Sequence, residues 1–146
     1  MKIAFTVLGE PQGKGRPIFA KRRTYVSIRT PEKTRDYENI IKFTYYEQCG
    51  NVQFPEGSQL ELFVKAYYKI PKSASKKKKA AMLSERIRPT KKPDGDNILK
   101  AVADALNGVC YKDDKELVKM SVEKFYSDVP RIEVTVQEAE TDKSYC

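Results

Sequence analysis

Residues 2 to 8 alternate Lys2, Ile3, Ala4, Phe5, Thr6, Val7 and Leu8, a pattern that predicts a strand. Glu10 to Gly15, with Pro11, Gly13 and Gly15, reads as a turn. Two short extended stretches follow, Arg16 to Ala20 and Thr24 to Ile28, joined by Lys21, Arg22 and Arg23 into an expected basic hairpin. Thr30 then Pro31 and Glu32 has the shape of a helix start, a hydroxyl cap before a proline at the first helical position. This helix is expected to run to about Cys49 and stop at Gly50. Leu60, Leu62, Val64 and Ala66 recur at period two and predict a strand over 59–70, ended by Pro71. Ser73 or Ser75 caps a short basic helix through Leu83, and the two prolines between Arg86 and Pro93 make that stretch a non-helical connection.

The cleanest helical pattern covers Asp96 to Asn107. At about 100° per residue, Ile98, Leu99, Val102, Ala105 and Leu106 fall within one apolar arc of roughly 120°. The opposite arc carries Asp96, Lys100 and Asp104, and Gly108 suits the left-handed position past the helix end. Two strands, Leu117 to Tyr126 and Arg131 to Gln137, are expected to close the chain, with a frayed tail from about residue 138. No internal repeat and no linker marks a second domain, and 146 residues suffice for one compact domain with a real core.

Composition removes whole chemistries. The chain has no His, which excludes imidazole zinc sites, Ser-His and Cys-His nucleophile pairs and imidazole acid-base catalysis. Cys49, Cys110 and Cys146 are odd in number and lack a C-x-x-C pair, so a disulfide framework is not expected and a reducing cytoplasm fits best. The apolar run from Ile3 to Leu8 is too short for a signal-peptide core or a membrane span, and no membrane attachment is expected.

The net charge of +8 is unevenly spread. Residues 65 to 92 hold 11 Lys/Arg against one acid, residues 12 to 35 hold 8 against one, and residues 94 to 146 hold 7 against 12. A run such as Lys76 to Lys79 is, on its own, a solvated face. Here the clusters are interleaved with Phe19, Tyr25, Tyr67 and Tyr68, which points to nucleic acid: cations neutralise phosphates while aromatic faces stack on bases. The expected contacts are Lys14, Arg16, Lys21, Arg22, Arg23, Lys76, Lys77, Lys91 and Lys92.

Beside these arms lies an acidic constellation. Asp94 and Asp96 bracket Gly95 at a helix start, and Asp113 and Asp114 follow the same helix after a short loop. Taken singly, the first pair reads as helix caps and the second as a polar turn. Taken together, the helix start, its polar face and the following loop are expected to gather four or five carboxylates. Oxygen ligands without His or Cys select a hard ion, Mg²⁺ or Mn²⁺.

These residues carry a resemblance. Lys92 to Lys100 (KPDGDNILK), Asp104 to Gly108 (DALNG), Asp113, Asp114 and Lys124 are similar to the core signature of the RusA family of Holliday junction resolvases. A looser likeness at Gly13 to Pro17 and Pro71 to Ser73 extends it over most of the chain. The resemblance implies a single RusA-like domain of α/β (α+β type) architecture, a mixed sheet packed with helices. It also implies a homodimeric, Mg²⁺-dependent endonuclease of four-way DNA junctions. Carried over by position, Asp94, Asp96 and Asp114 are the implied essential metal-binding carboxylates and Lys100 the implied essential basic residue. Asp104 and Asp113 match positions without an assigned role, and Gly95 stands where a larger residue is tolerated, which is expected to loosen the helix start. Two other readings compete: a basic nucleic-acid-binding module without catalysis, and a nuclease of flaps or single strands.

Overall fold

The alternation around Leu60 builds the strand that organises the molecule. In the computed structural model, residues 1–15, 18–21, 26–29 and 32–140 are described, with backbone alone for 18–21 and 26–29. The elements run β1 (Lys2–Leu8), β2 (Ile18–Lys21), β3 (Val26–Arg29), α1 (Glu32–Cys49), β4 (Leu60–Lys69), α2 (Lys76–Leu83), α3 (Gly95–Leu106), a 3-10 turn (Asp114–Glu116), β5 (Leu117–Ser127) and β6 (Arg131–Glu138). Four strands form one mixed sheet in the order β1-β6-β4-β5, and β2 pairs antiparallel with β3 as a separate ribbon. This is an α+β fold. β4 and β5 are parallel, and β6 is antiparallel to both β1 and β4.

The period-two pattern decides which face is covered. Ile3, Phe5 and Val7, Leu60, Leu62, Val64 and Ala66, and Ile132, Val134 and Val136 all point to one side and are buried. There they meet Tyr37, Ile41 and Tyr45 of α1 and the apolar arc of α3, whose Ile98, Val102, Ala105 and Leu106 are fully buried. Each large aliphatic chain so buried contributes about 1.5–3 kcal/mol. On the other face Lys65 lies opposite both Glu133 and Glu123, so the charges there balance locally. α2 begins at Ser75, whose side chain accepts from Lys78 N, and docks against β5.

The expected elements are present with end shifts of one or two residues. Thr30, Pro31 and residues 22–25 of the hairpin lie outside the described residues, as do residues 141–146 of the tail and with them Cys146. Among the described residues no helix is long and apolar enough to cross a membrane.

Candidate active site

The N-terminus of α3 is where the acidic motif meets the sheet. Asp94 occupies the cap position with extended backbone, and Ile98 N donates to its carbonyl at 3.1 Å, yet its carboxylate makes no capping hydrogen bond. The usual structural duty of an aspartate there is unfilled. Asp96 follows in the first turn, and both side chains are exposed. Positive helix-end potential favours these anions and would equally favour a phosphate.

Three elements hold this helix start in place. Tyr68, at the end of β4, donates its hydroxyl to Pro93 O at 2.5 Å, and Lys124 of β5 donates Nζ to Lys91 O at 2.7 Å. The Gly13-Lys14-Gly15 loop lies across α3, with Lys14 N donating to Asn97 O at 2.9 Å. A side chain at Gly13 would sit 2.8 Å from Asn97 Cβ and 3.2 Å from Pro93 Cβ, so the loop approaches only because that residue is glycine. Gly95 works alike. A Cβ there would meet Val122 Cγ1 at 3.0 Å, so glycine seats the helix start on β5 rather than loosening it as expected.

Along the polar arc, Lys100 is exposed and forms no ion pair with Asp96 or Asp104 among the described residues. Asp104 is engaged elsewhere. Lys14 Nζ lies 3.1 Å from Asp104 and 2.7 Å from Glu38 of α1, and is only 20% exposed. Burial disfavours that ammonium, but the two carboxylates outweigh it and raise its pKa above the ordinary lysine range. Lys14, expected on DNA, is thereby fixed as a strut between the loop, α1 and α3.

The second acidic pair lies at the other end of the helix. Asp113 caps the 3-10 turn, accepting from Lys115 N at 3.0 Å, while buried Glu116 accepts from Asp113 N at 3.2 Å and Gly57 N at 2.5 Å. The Lys115 amide, with a hydrogen bond from Asp114, holds the Asp113 carboxyl below the usual range. Desolvation, then Asp113 and Asp104, pushes Asp114 up. Tyr111 is a packed core residue, buried with its hydroxyl on Ala103 O at 2.6 Å.

The expected gathering of four or five carboxylates does not occur within one chain. Asp96 and Asp104 are eight residues apart on a rigid helix, ~12 Å along its axis, and the Asp104 charge is among those that raise the Asp114 pKa. Among the described residues no three acidic, Cys or His side chains converge on a metal position. The donors at the N-terminal end still suit a hard divalent ion, because Mg²⁺ is commonly held by one or two carboxylates plus substrate phosphates.

The expected cationic residues surround this end unevenly. An open groove of about 590 Å³ runs from Pro11 to Gly15 past Lys33, Lys92 and Asp94. Lys91 and Lys92 are exposed on the segment entering α3, and Lys76 and Lys77 are exposed on α2. Arg16, Arg22 and Arg23 lie outside the described residues, and Lys21 is placed on β2 by its backbone. The strut through Glu38, the Glu116 turn and the hydroxyl of Tyr68 escaped sequence reasoning, since each is a single residue without periodic context. Only Lys124 carried a signal, its place in the motif.

A family model described as endodeoxyribonuclease RusA matches residues 9–137. A protein of Bacillus subtilis (strain 168), named "Uncharacterized protein YqaN", is 40% identical over 138 residues, which covers 93% of this chain and 96% of that protein. With the family pattern matched over nearly its whole length, this chain belongs to the RusA endodeoxyribonuclease family.

Proposed function

We propose that the chain is a divalent-metal-dependent endonuclease that resolves four-way DNA junctions by paired nicks, working as a homodimer in recombination and repair. The observation that carries this reading is Asp94: a carboxylate at a helix start that caps nothing, close to Asp96, which in turn lies one turn from Lys100, a residue with no ion pair among the described residues. Asp94 and Asp96 would hold Mg²⁺, with Mn²⁺ as a substitute. That ion supplies a bound water of lowered pKa and charge neutralisation at the leaving oxygen. The chain's own contribution is positional. α3 presents both carboxylates toward solvent at its positive end, where a phosphate is also favoured, and Lys100 extends from the same polar arc to meet phosphate charge. Lys76, Lys77, Lys91 and Lys92 supply affinity for the backbone without reading sequence.

Two features support the homodimer reading. One chain offers one helix start, and two opposed strands need two. Asp114, implied as a third ligand, follows α3 on the 3-10 turn and lies within electrostatic reach of Asp104. β5 is an edge strand with Val118 and Met120 exposed, which suits pairing with a copy of itself.

The test is incubation of the protein with a synthetic four-way junction, a flap and a linear duplex, each with Mg²⁺ or EDTA, and strand-resolved products. Symmetric nicks in opposed strands of the junction, absent in EDTA, are expected. Binding without cleavage in Mg²⁺ or Mn²⁺ would instead favour a non-catalytic module, and preferential flap cleavage a different nuclease. Sedimentation should report about twice the 16.7 kDa chain mass.

A further inference from the structure

Lys124 belongs to the sequence signature, yet neither the charge pattern nor the proposed chemistry assigns it a task. We infer that Lys124 and Tyr68 are positioning residues that together pin the Lys91–Pro93 segment and so fix where Asp94 and Asp96 stand. This rests on the reading of those two aspartates as the metal-holding pair.

The parallel pairing of β4 and β5 brings the two side chains together. Ala66 is paired with Lys124 and Tyr68 with Tyr126, so Lys124 and Tyr68 project from neighbouring strands to the side that also carries Val122, the seat of Gly95. Lys124 Nζ stands 5.0 Å from the centroid of the Tyr68 ring and 2.7 Å from Lys91 O. The Tyr68 hydroxyl reaches Pro93 O at 2.5 Å from a residue only 2% exposed. Two carbonyls on either side of Lys92 are therefore tied to the sheet, and Asp94 is the next residue along. Backbone approaching a helix start through irregular chain has no ladder of its own to fix it. Here β4 and β5 supply the missing bonds.

Burial, reinforced by the Asp94 and Glu10 carboxylates, raises the Tyr68 pKa far above the ordinary tyrosine value, so the hydroxyl stays protonated and remains a donor. Arg88 Nε donates to Lys124 O at 2.7 Å and anchors the opposite end of the same connection. Outer contacts that orient metal-holding groups typically affect metal affinity or activity by about 10–100-fold when removed. A purely structural ring and cation stack would affect stability alone.

Tyr68→Phe separates the two, because it keeps the ring under Lys124 and deletes only the bond to Pro93 O. Mn²⁺ binding to the full-length protein in complex with uncleaved junction, followed by electron paramagnetic resonance, gives a readout independent of turnover. Tyr68→Phe is expected to weaken Mn²⁺ binding and lower kcat by about tenfold with junction KM unchanged. Lys124→Met should do the same and Lys124→Arg should recover most of the loss. Asp94→Asn, run alongside, should abolish both signals. If Asp94→Asn binds Mn²⁺ and cleaves like wild type, the reading of the acidic pair fails. If Asp94→Asn loses both while Tyr68→Phe loses neither, the acidic pair stands and the positioning role is overturned.

Discussion

The two ends of α3 carry the same residue type to opposite purposes. At the C-terminal side, Asp113 and Glu116 form a reciprocal capping box, and nearly every nearby carboxylate has a backbone donor or a cation. At the N-terminal side, Asp94 stands in a capping position and caps nothing, while its approach is pinned through carbonyls rather than through the carboxylate. Acid content alone does not separate a structural turn from a reactive site. The two ends of α3 differ in whether the local backbone already uses the oxygens.

The sharpest way to break this contrast is to neutralise each end. Asp94→Asn or Asp96→Asn should reduce junction cleavage by about three orders of magnitude or more, the equivalent of ~4 kcal/mol of transition-state stabilisation. Junction binding in a gel-shift assay should be retained or tighter, since negative charge near phosphate is removed. Near-normal turnover in either variant would return this end to the status of an ordinary helix start.

Lys100→Ala should follow, with a loss of about 10²–10³ in rate. A helix pair at i,i+4 is worth only about 0.2–0.5 kcal/mol, and Lys100 makes none in this structure, so a drop below about threefold would leave it without a catalytic task.

At the other end the expected damage is to stability. Glu116→Ala removes the acceptor for Gly57 N and Asp113 N and should cost about 2–3 kcal/mol in urea unfolding, with kcat of the folded protein near wild type. Converting Lys76 to Lys79 together to Ala should weaken binding to every DNA structure similarly and flatten its salt dependence, by up to about 0.9 in the log-log slope per lost phosphate contact. An unchanged slope would remove α2 from the interface.

The smallest effect concerns protons. Asp113 is held below and Asp114 above the usual carboxyl range, so carboxyl NMR should find Asp113 ionising first, and Asp113→Asn should lower the Asp114 value by removing an adjacent charge. The signs oppose in stability. The Asp113 contribution is lost as pH falls through its depressed folded value, whereas the raised Asp114 opposes folding once pH exceeds its unfolded value.

Much of this architecture was legible because it is periodic. Ile98, Val102 and Leu106 announce a buried helical arc, and Leu60 to Ala66 a one-sided strand, wherever the rest of the chain lies. The candidate site was legible as a motif but not as a shape. Sequence spacing suggested one gathering of carboxylates, whereas α3 holds Asp96 and Asp104 ~12 Å apart along its axis. Nor could spacing show that Asp104 answers to Lys14, ninety residues earlier, or that Tyr68 reaches Pro93. Those pairings exist only after β4, α1 and α3 have packed.

The strand order holds a consequence for how the protein is made. β6, the last strand along the chain, is an interior one, inserted between β1 and β4. During synthesis β1 therefore waits until residues 131–138 leave the ribosome, and among the described residues this seven-residue strand finds its only partner in the main sheet more than a hundred residues later. Closure of such distant pairs is slow relative to local structure, and unpaired edges invite other chains in the interval. A ribosome stalled before residue 131 should hold a chain with α1, β4 and α3 synthesised but no route to a closed sheet, so the final strand acts as the latch of the whole domain.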